Sequence, residues 1–272
     1  MLISYHGEFT WDIATVAPFA YYLHLRGELE ETHGPIGSYP IFFFSPKHIE
    51  SGHRQGGNTA FVPLEVTGCV IGGDVYNREL HTDKWVMPPW KEHFKNNRFV
   101  YDKPLLIINN KYTEEWGKPP VNYIDVEVLM RIIDALKNKY QIVYIRPTYE
   151  EKGISYDYHI LYNWFDYDIL KKYFREDIIF FNDLLKENDD LRFNDLQFML
   201  GANCENFISV QGGNAFVSSI FGGKNLVYAN APSEHTQCYW DGGYVGKRFG
   251  CNVVFSHGYQ LKFLDKAMEL FA

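Results

Sequence analysis

Asn206 to His235 reads NFISVQGGNAFVSSIFGGKNLVYANAPSEH, and the reading of this stretch decides the fold. Phe207, Ile208 and Val210 make a short apolar run rich in β-formers, as expected of a buried parallel strand. The run stops at Gln211-Gly212-Gly213-Asn214. Ala215, Phe216, Val217, Ile220 and Phe221 then follow at near-helical spacing, and Gly222-Gly223 stand where a helix would need a left-handed cap. Leu226-Val227-Tyr228 is the next strand. A strand, a glycine pair and a helix N-terminus in succession expose backbone N–H groups to an anion. A tight βα turn that binds nothing has the same local sequence, so function has to be argued from what else reaches this corner.

Outward from that stretch, strands and helices alternate across residues 104–256. Pro104 to Ile108 is a continuous apolar run. From Asp125, the apolar residues Val126, Leu129, Ile132, Ile133 and Leu136 mark an amphipathic helix. Ile142–Ile145 is a strand, a helix is expected near Asp168–Tyr173, a strand at Ile178–Phe181, a helix at Asn194–Ala202 and a last strand at Asn252–Phe255. The chain closes on a helix whose apolar face is expected to be Leu261, Leu264, Met268 and Phe271. This alternation predicts a parallel sheet with helices on both faces.

The first hundred residues are less regular. Leu2–Tyr5 reads as a strand, and Trp11 to about Leu25 as an amphipathic helix kinked by Pro18 and ended by Gly27. Pro40–Phe44 is expected to be a second strand, residues 45–66 irregular, and Thr67–Ile71 a third strand. The polar stretch near 90–103, with Pro88-Pro89 before it, divides a small N-terminal α/β half (1–100) from a C-terminal nucleotide-binding half (101–272). The fold class is therefore α/β, with two Rossmann-like α/β/α halves facing each other and a C-terminal helix that returns toward the first.

Composition narrows the function. Of 272 residues, 46% are hydrophobic and 22% charged, as in an ordinary globular protein. The net charge of −8 argues against a nucleic-acid partner but leaves room for a nucleotide, which needs only local cations. With 20 Tyr, 21 Phe and 6 Trp, rings are plentiful enough for a thick core and for flat polar ligands such as sugars. Cys69, Cys204, Cys238 and Cys251 form no CxxC pair and no zinc spacing, which fits a reduced chain without a structural metal. No basic, apolar leader opens the chain, and no apolar run approaches the roughly 20 residues that span a bilayer. A soluble, cytoplasmic protein is expected.

In an open parallel sheet, ligands bind beyond the carboxyl ends of the strands. Those ends are expected to deliver Asn109, Asn110 and Lys111; Arg146; Asn182 and Asp183; Gln211, Gly212, Gly213 and Asn214; and Asn230 and Ser233. One lysine, one arginine and a glycine pair at a helix start make a diphosphate cradle. In the N-terminal half, His6, Glu8, Asp12 and Asp74 stand where a carboxylate or imidazole could deprotonate a hydroxyl, although Glu8 or Asp12 could equally cap the first helix. Asp166-Tyr167-Asp168 is a DxD, but it is expected to open a helix, where capping and the helix dipole explain it better than a metal. The sequence has no GxGxxG fingerprint, no P-loop and no GxSxG elbow.

These features together resemble the GT-B-type glycosyltransferases. More narrowly, His6-Gly7-Glu8 with Pro18-Phe19-Ala20-Tyr21-Tyr22 is similar to a group of small bacterial and large-DNA-virus members. Phe44-Ser45-Pro46-Lys47-His48, Lys103-Pro104-Leu105 through Asn110-Lys111, Tyr144-Ile145-Arg146-Pro147 and Ser209 to Asn214 carry the same likeness. The viral members include chlorovirus enzymes that build capsid glycans, one of them a β-xylosyltransferase. The resemblance implies a metal-independent transferase that needs no cofactor and takes a nucleotide-sugar donor, a UDP-sugar such as UDP-xylose being favoured, and a glycan acceptor. It implies that Gln211, Gly212, Gly213 and Asn214 meet the diphosphate, that Arg146 and Lys111 add charge, and that Asp183 lies near the nucleoside. Asp74 or Glu8 would be the base, the chemistry inverting, and the location the cytoplasm, that of the host for a viral chain. A nucleotide-sugar epimerase and a non-catalytic glycan-binding module are the alternatives.

Overall fold

The structure is a computed structural model that describes residues 1–54, 84–114, 119–147, 162, 164–230 and 249–272. The expected strand at Thr67–Ile71, with Asp74 beyond it, lies outside the described residues. Two parallel sheets organise the rest. The first has three strands in the order β1 (Leu2–Ser4), β2 (Glu31–Gly34), β3 (His48–Glu50). The second has six, β4 (Leu105–Asn109), β5 (Gln141–Ile145), β6 (Ile178–Phe180), β7 (Asn206–Val210), β8 (Lys224–Ala229) and β9 (Asn252–His257), in the order β6-β5-β4-β7-β8-β9.

Counted within that sheet, the order is 3-2-1-4-5-6, the doubly wound arrangement, and it reverses between β4 and β7. β4 shows why its run is unbroken by polar residues: Leu105 and Ile107 enter the core on one face, Leu106 and Ile108 the core on the other. On the second face lie helices α3 (Val126–Leu136), α4 (Asp166–Phe174) and α8 (Gln260–Phe271). On the first face lie α5 (Phe181–Glu187), α6 (Phe193–Ala202) and α7 (Gly213–Ile220). The same core continues without a break into Ile3, Trp11, Ile13, Val16 and Phe19 of the N-terminal unit.

α1 has three parts: α-helical Phe9–Trp11, a π turn over Asp12–Val16 and α-helical Ala17–Leu25. The kink expected at Pro18 takes the form of that π turn just before it. The Ala17 N–H bonds to Asp12 O, five residues back, ahead of a proline that has no N–H to continue the ladder. The 90–103 stretch holds α2 (Trp90–Phe94), which packs on α6 with Trp90 fully buried, and Asn96 exchanges hydrogen bonds with Asn203.

Three expectations need correction. Pro40–Phe44 is not a strand but a run of turns, with Ile41 N–H bonded to Ser38 O and Phe42 N–H to Tyr39 O. Its rings fill the core, and the pairing falls to β2 and β3, whose sequences ETHG and HIE carry little apolar signal. Among the described residues, α8 packs on α3, β8 and β9 of its own half, on the sheet face opposite the core shared with the first. Its buried face is Phe263, Leu264, Ala267 and Phe271, while Leu261 is exposed.

Candidate active site

The corner after β7 lies at the point where the strand order reverses, which is where an open α/β sheet forms its ligand crevice. Gly212 caps α7 with φ 123° and ψ −167°, a backbone conformation essentially reserved to glycine. The N–H groups of Gly213 and Asn214, in the first turn of α7, have no acceptor within that helix. A Cβ on Gly212 would stand 3.0 Å from Lys111 Nζ, so the ammonium delivered by β4 lies directly over the bare backbone. A Cβ on Gly213 would stand only 2.7 Å from Phe9 Cδ1, at the start of α1. The corner thus faces the N-terminal unit across a single aromatic ring.

Side-chain amides fix this geometry. Asn110 holds the β4 exit: its Nδ2 donates to Ile124 O (3.0 Å), and its Oδ1 accepts from the N–H groups of Ile124 (2.9 Å) and Lys111 (3.0 Å). Asn109 Nδ2 donates to Ser218 Oγ (2.9 Å), which itself donates to Asn214 O (2.9 Å), tying β4 to the first turn of α7. The Asn214 side chain accepts from Gln197 Nε2 of α6 (3.5 Å). Asn109 Oδ1 and Gln211 Oε1 are both buried and have no hydrogen-bond partner. A buried acceptor without a donor costs about 1–3 kcal/mol, so the two strand ends beside the corner carry a polar cost that the surrounding packing offsets.

Arg146 and Asp183 stand elsewhere. Arg146, at the exit of β5, is buried and gives Nε to Asp166 Oδ2 (2.7 Å), which also accepts from Tyr144 Oη (2.5 Å). Its guanidinium packs on the rings of Tyr167 (4.8 Å) and Tyr112 (5.8 Å). Burial works against the Arg146 charge, but Asp166, with Tyr144 and Tyr167, more than offsets it, and the pKa stays above its ordinary value. The expected cation is therefore neutralised by a carboxylate of the DxD. Asp166 is the first residue of its helix, as the sequence suggested, but Arg146 and Tyr144 account for it better than capping or a metal. Asp183 pairs with Lys171 (2.7 Å) in the first turn of α5, beyond the edge strand β6. That is three strand spacings, roughly 14 Å, from β7. The structure does not bring it to the glycine corner.

On the N-terminal side, Glu8 precedes α1, one residue from the ring that touches Gly213. Its backbone carbonyl accepts from Trp11 N–H (3.1 Å), while its carboxylate makes no capping hydrogen bond. Asp12 is fully buried and pairs with Arg54 Nη1 (2.5 Å), which also donates to Gly7 O (2.9 Å). The Arg54 guanidinium lies 4.8 Å from the centre of the Phe9 ring. Asp12 and Arg54 thus fix the turn that carries Glu8 and Phe9. His6 Nε2 meets Ser51 Oγ at 3.3 Å beside it. Phe9 and Arg54 were missed from sequence, and Asp166, singled out there as part of the DxD, gave no sign of its pairing with Arg146. Among the described residues, no group of three His, Cys, Asp or Glu could hold a metal ion, and no helix is long and apolar enough to cross a membrane.

No protein-family model matches the chain, and no curated protein matches it in sequence. Solved structures that resemble it include the ADP-heptose LPS heptosyltransferase II of E. coli. That likeness has a TM-score of 0.53 at 11% identity and covers 99% of this chain and 97% of that one. A glycosyl transferase family 9 structure from Veillonella parvula DSM 2008 gives a TM-score of 0.50 at 9% identity, over 100% of this chain and 89% of that one. At such identities the likeness is one of fold: along nearly its whole length, this chain has the GT-B-like, Rossmann-type α/β architecture of those two proteins.

Proposed function

We propose that the protein is a glycosyltransferase that moves a sugar from a nucleoside diphosphate sugar to the hydroxyl of a glycan acceptor. The observation that carries this reading is the glycine corner at the β4/β7 reversal, with Lys111 over Gly212 and the Glu8-Phe9 turn of the other unit against Gly213. One side offers N–H groups and an ammonium to a diphosphate, and the other offers a carboxylate. The base, Glu8 or Asp74, takes the proton of the acceptor hydroxyl. That oxygen forms a bond to the anomeric carbon as the bond from carbon to the diphosphate oxygen breaks, with inversion. The electron pair leaves with the nucleoside diphosphate, whose growing charge is met by the α7 N-terminus and Lys111 without a metal. Arg146 contributes by holding the β5 exit through Asp166, not by direct charge.

The fold likeness supports this reading, since both resembling structures are named as glycosyl transferases, one of them for an ADP-sugar. We therefore read the donor at the level of a nucleoside diphosphate sugar. UDP-xylose as its identity rests on the sequence resemblance alone, and a cytoplasmic location on the sequence alone.

Thermal shift against UDP, ADP, GDP, CMP and NAD tests the reading, because a ligand bound only by the folded state raises its melting temperature. A nucleoside diphosphate should raise Tm, and Lys111→Ala should remove the effect. No response to any diphosphate would end the proposal. Conversion of a donor with no acceptor present would point to an epimerase, and sugar binding indifferent to nucleotide to a glycan-binding module.

A further inference from the structure

Immediately beyond Lys111 the β4 exit runs into three packed rings. The centroids of Tyr112 and Tyr123 are 5.2 Å apart, and Trp164 lies 5.5 Å from Tyr112 and 5.6 Å from Tyr123, nearly parallel to the latter at 18°. Tyr112 is the buried foundation: its hydroxyl donates to Ile124 O (3.0 Å), and the Arg146 guanidinium packs on its ring. Trp164 is the outer layer and is 45% exposed. The next residue, Phe165, is the single described non-glycine residue with positive φ, at 56°. Such a left-handed residue is uncommon and costs free energy, so the turn that carries Trp164 is held against its own preference.

A lone exposed tryptophan needs no explanation. A rigid indole backed by two rings and a guanidinium is different, because its flatness is enforced before any ligand arrives. Its place matters too. Tyr112 and Tyr123 follow β4, and Trp164 follows β5, so all three stand at the same edge of the sheet as the glycine corner. Successive strand spacings put those two exits about 5 and 10 Å from β7. A diphosphate at the corner has two ends. One points at Phe9 and Glu8, where the reacting sugar belongs; the other points along the sheet edge toward these rings.

We propose that Trp164, backed by Tyr123 and Tyr112, is the stacking platform for the base of the bound nucleotide. This rests on the reading above in placing the phosphates at Gly212 and Gly213. The ligand class is a nucleoside diphosphate, recognised at this end by the π-face of its base. Stacking of that kind tolerates any base, so purine and pyrimidine diphosphates are both accepted.

The test is calorimetric titration of ADP, UDP and inorganic pyrophosphate into the wild type, Trp164→Leu and Trp164→Phe. Removing the ring should weaken ADP and UDP roughly 5- to 150-fold, the usual range for loss of one aromatic–base stack. Trp164→Phe should restore most of the loss, and pyrophosphate should bind all three proteins alike. Nucleotide affinity unchanged in Trp164→Leu overturns the platform while leaving the glycosyltransferase reading intact. Pyrophosphate falling in parallel with the nucleotides also overturns it, because the change would then act at the corner. A methyl pyranoside that binds the wild type and competes with UDP would assign the rings to a sugar instead. A wild type that binds neither pyrophosphate nor nucleotide removes both proposals together.

Discussion

Gly212 concentrates the chemistry of a single residue more than any other position. Its φ of 123° disfavours any side chain, and a Cβ there would push Lys111 Nζ from its place over the backbone. Gly212→Ala should lose about 1–3 kcal/mol of stability from backbone strain, read from urea midpoints, and should weaken diphosphate binding at least tenfold. Arg146 and Asp166 make a second residue-level case. Breaking a buried pair by removing one partner typically costs about 3–5 kcal/mol, because the other charge stays behind. Arg146→Ala and Asp166→Ala should each destabilise by that amount, and the double variant by clearly less than their sum. A third case is His48. Ser38 Oγ gives its only proton to Pro35 O (2.6 Å) and so accepts from His48 Nε2 (2.9 Å), which leaves Nδ1 to accept from Thr32 Oγ1 (2.7 Å). Burial, only partly opposed by Glu50, lowers its pKa from 6.5 to about 4. The unfolded chain then binds the proton first, so this contribution is complete above pH 6.5 and is lost as pH falls toward 4. Urea midpoints measured across that window should decline, and less so in His48→Leu.

At the scale of elements, α1 and α7 meet ring to backbone through Phe9 and Gly213. Gly213→Ala puts a Cβ 2.7 Å from the Phe9 ring, so the two helices must separate or the ring must turn. We expect Gly213→Ala to destabilise by about 1–3 kcal/mol, as overpacking does, and Phe9→Ala to relieve most of that penalty in a double-mutant cycle. Additive effects would show that the helices do not touch there. The elements also differ in how legible they were. β4, β5, β7 and β8 are buried along both faces, so their apolar runs announced them. β2 is four residues, ETHG, held by pairing with β1 and β3 and by polar side-chain contacts such as Thr32 with His48, none of which an apolar pattern announces. Pro40–Phe44 sent the opposite signal, because three phenylalanines can fill a core from turns as well as from a strand. At the corner, the positions of the glycines and Lys111 were legible because they directly follow the apolar runs of β7 and β4. The Asp12–Arg54 pair spans 42 positions and Arg146–Asp166 spans 20, and no local pattern joins residues so far apart.

At the scale of the whole molecule, the governing fact is the core that runs from Ile3 and Trp11 through Leu105 and Phe207 to Val217 and Phe255. Ion pairs and hydrogen bonds reinforce it where the units meet: Arg192 binds Glu50, and Asn194 Nδ2 donates to Gly37 O (2.7 Å). Calorimetric and van't Hoff enthalpies of unfolding should therefore agree, as for one cooperative transition. Two separated peaks would mean that each unit holds its own core. Two units that share one core cannot swing apart on a wide hinge without tearing apolar contacts from one another. Substrates would have to be admitted by the movement of individual loops, and turnover would then be gated by segments at the rim of the molecule and not by its halves.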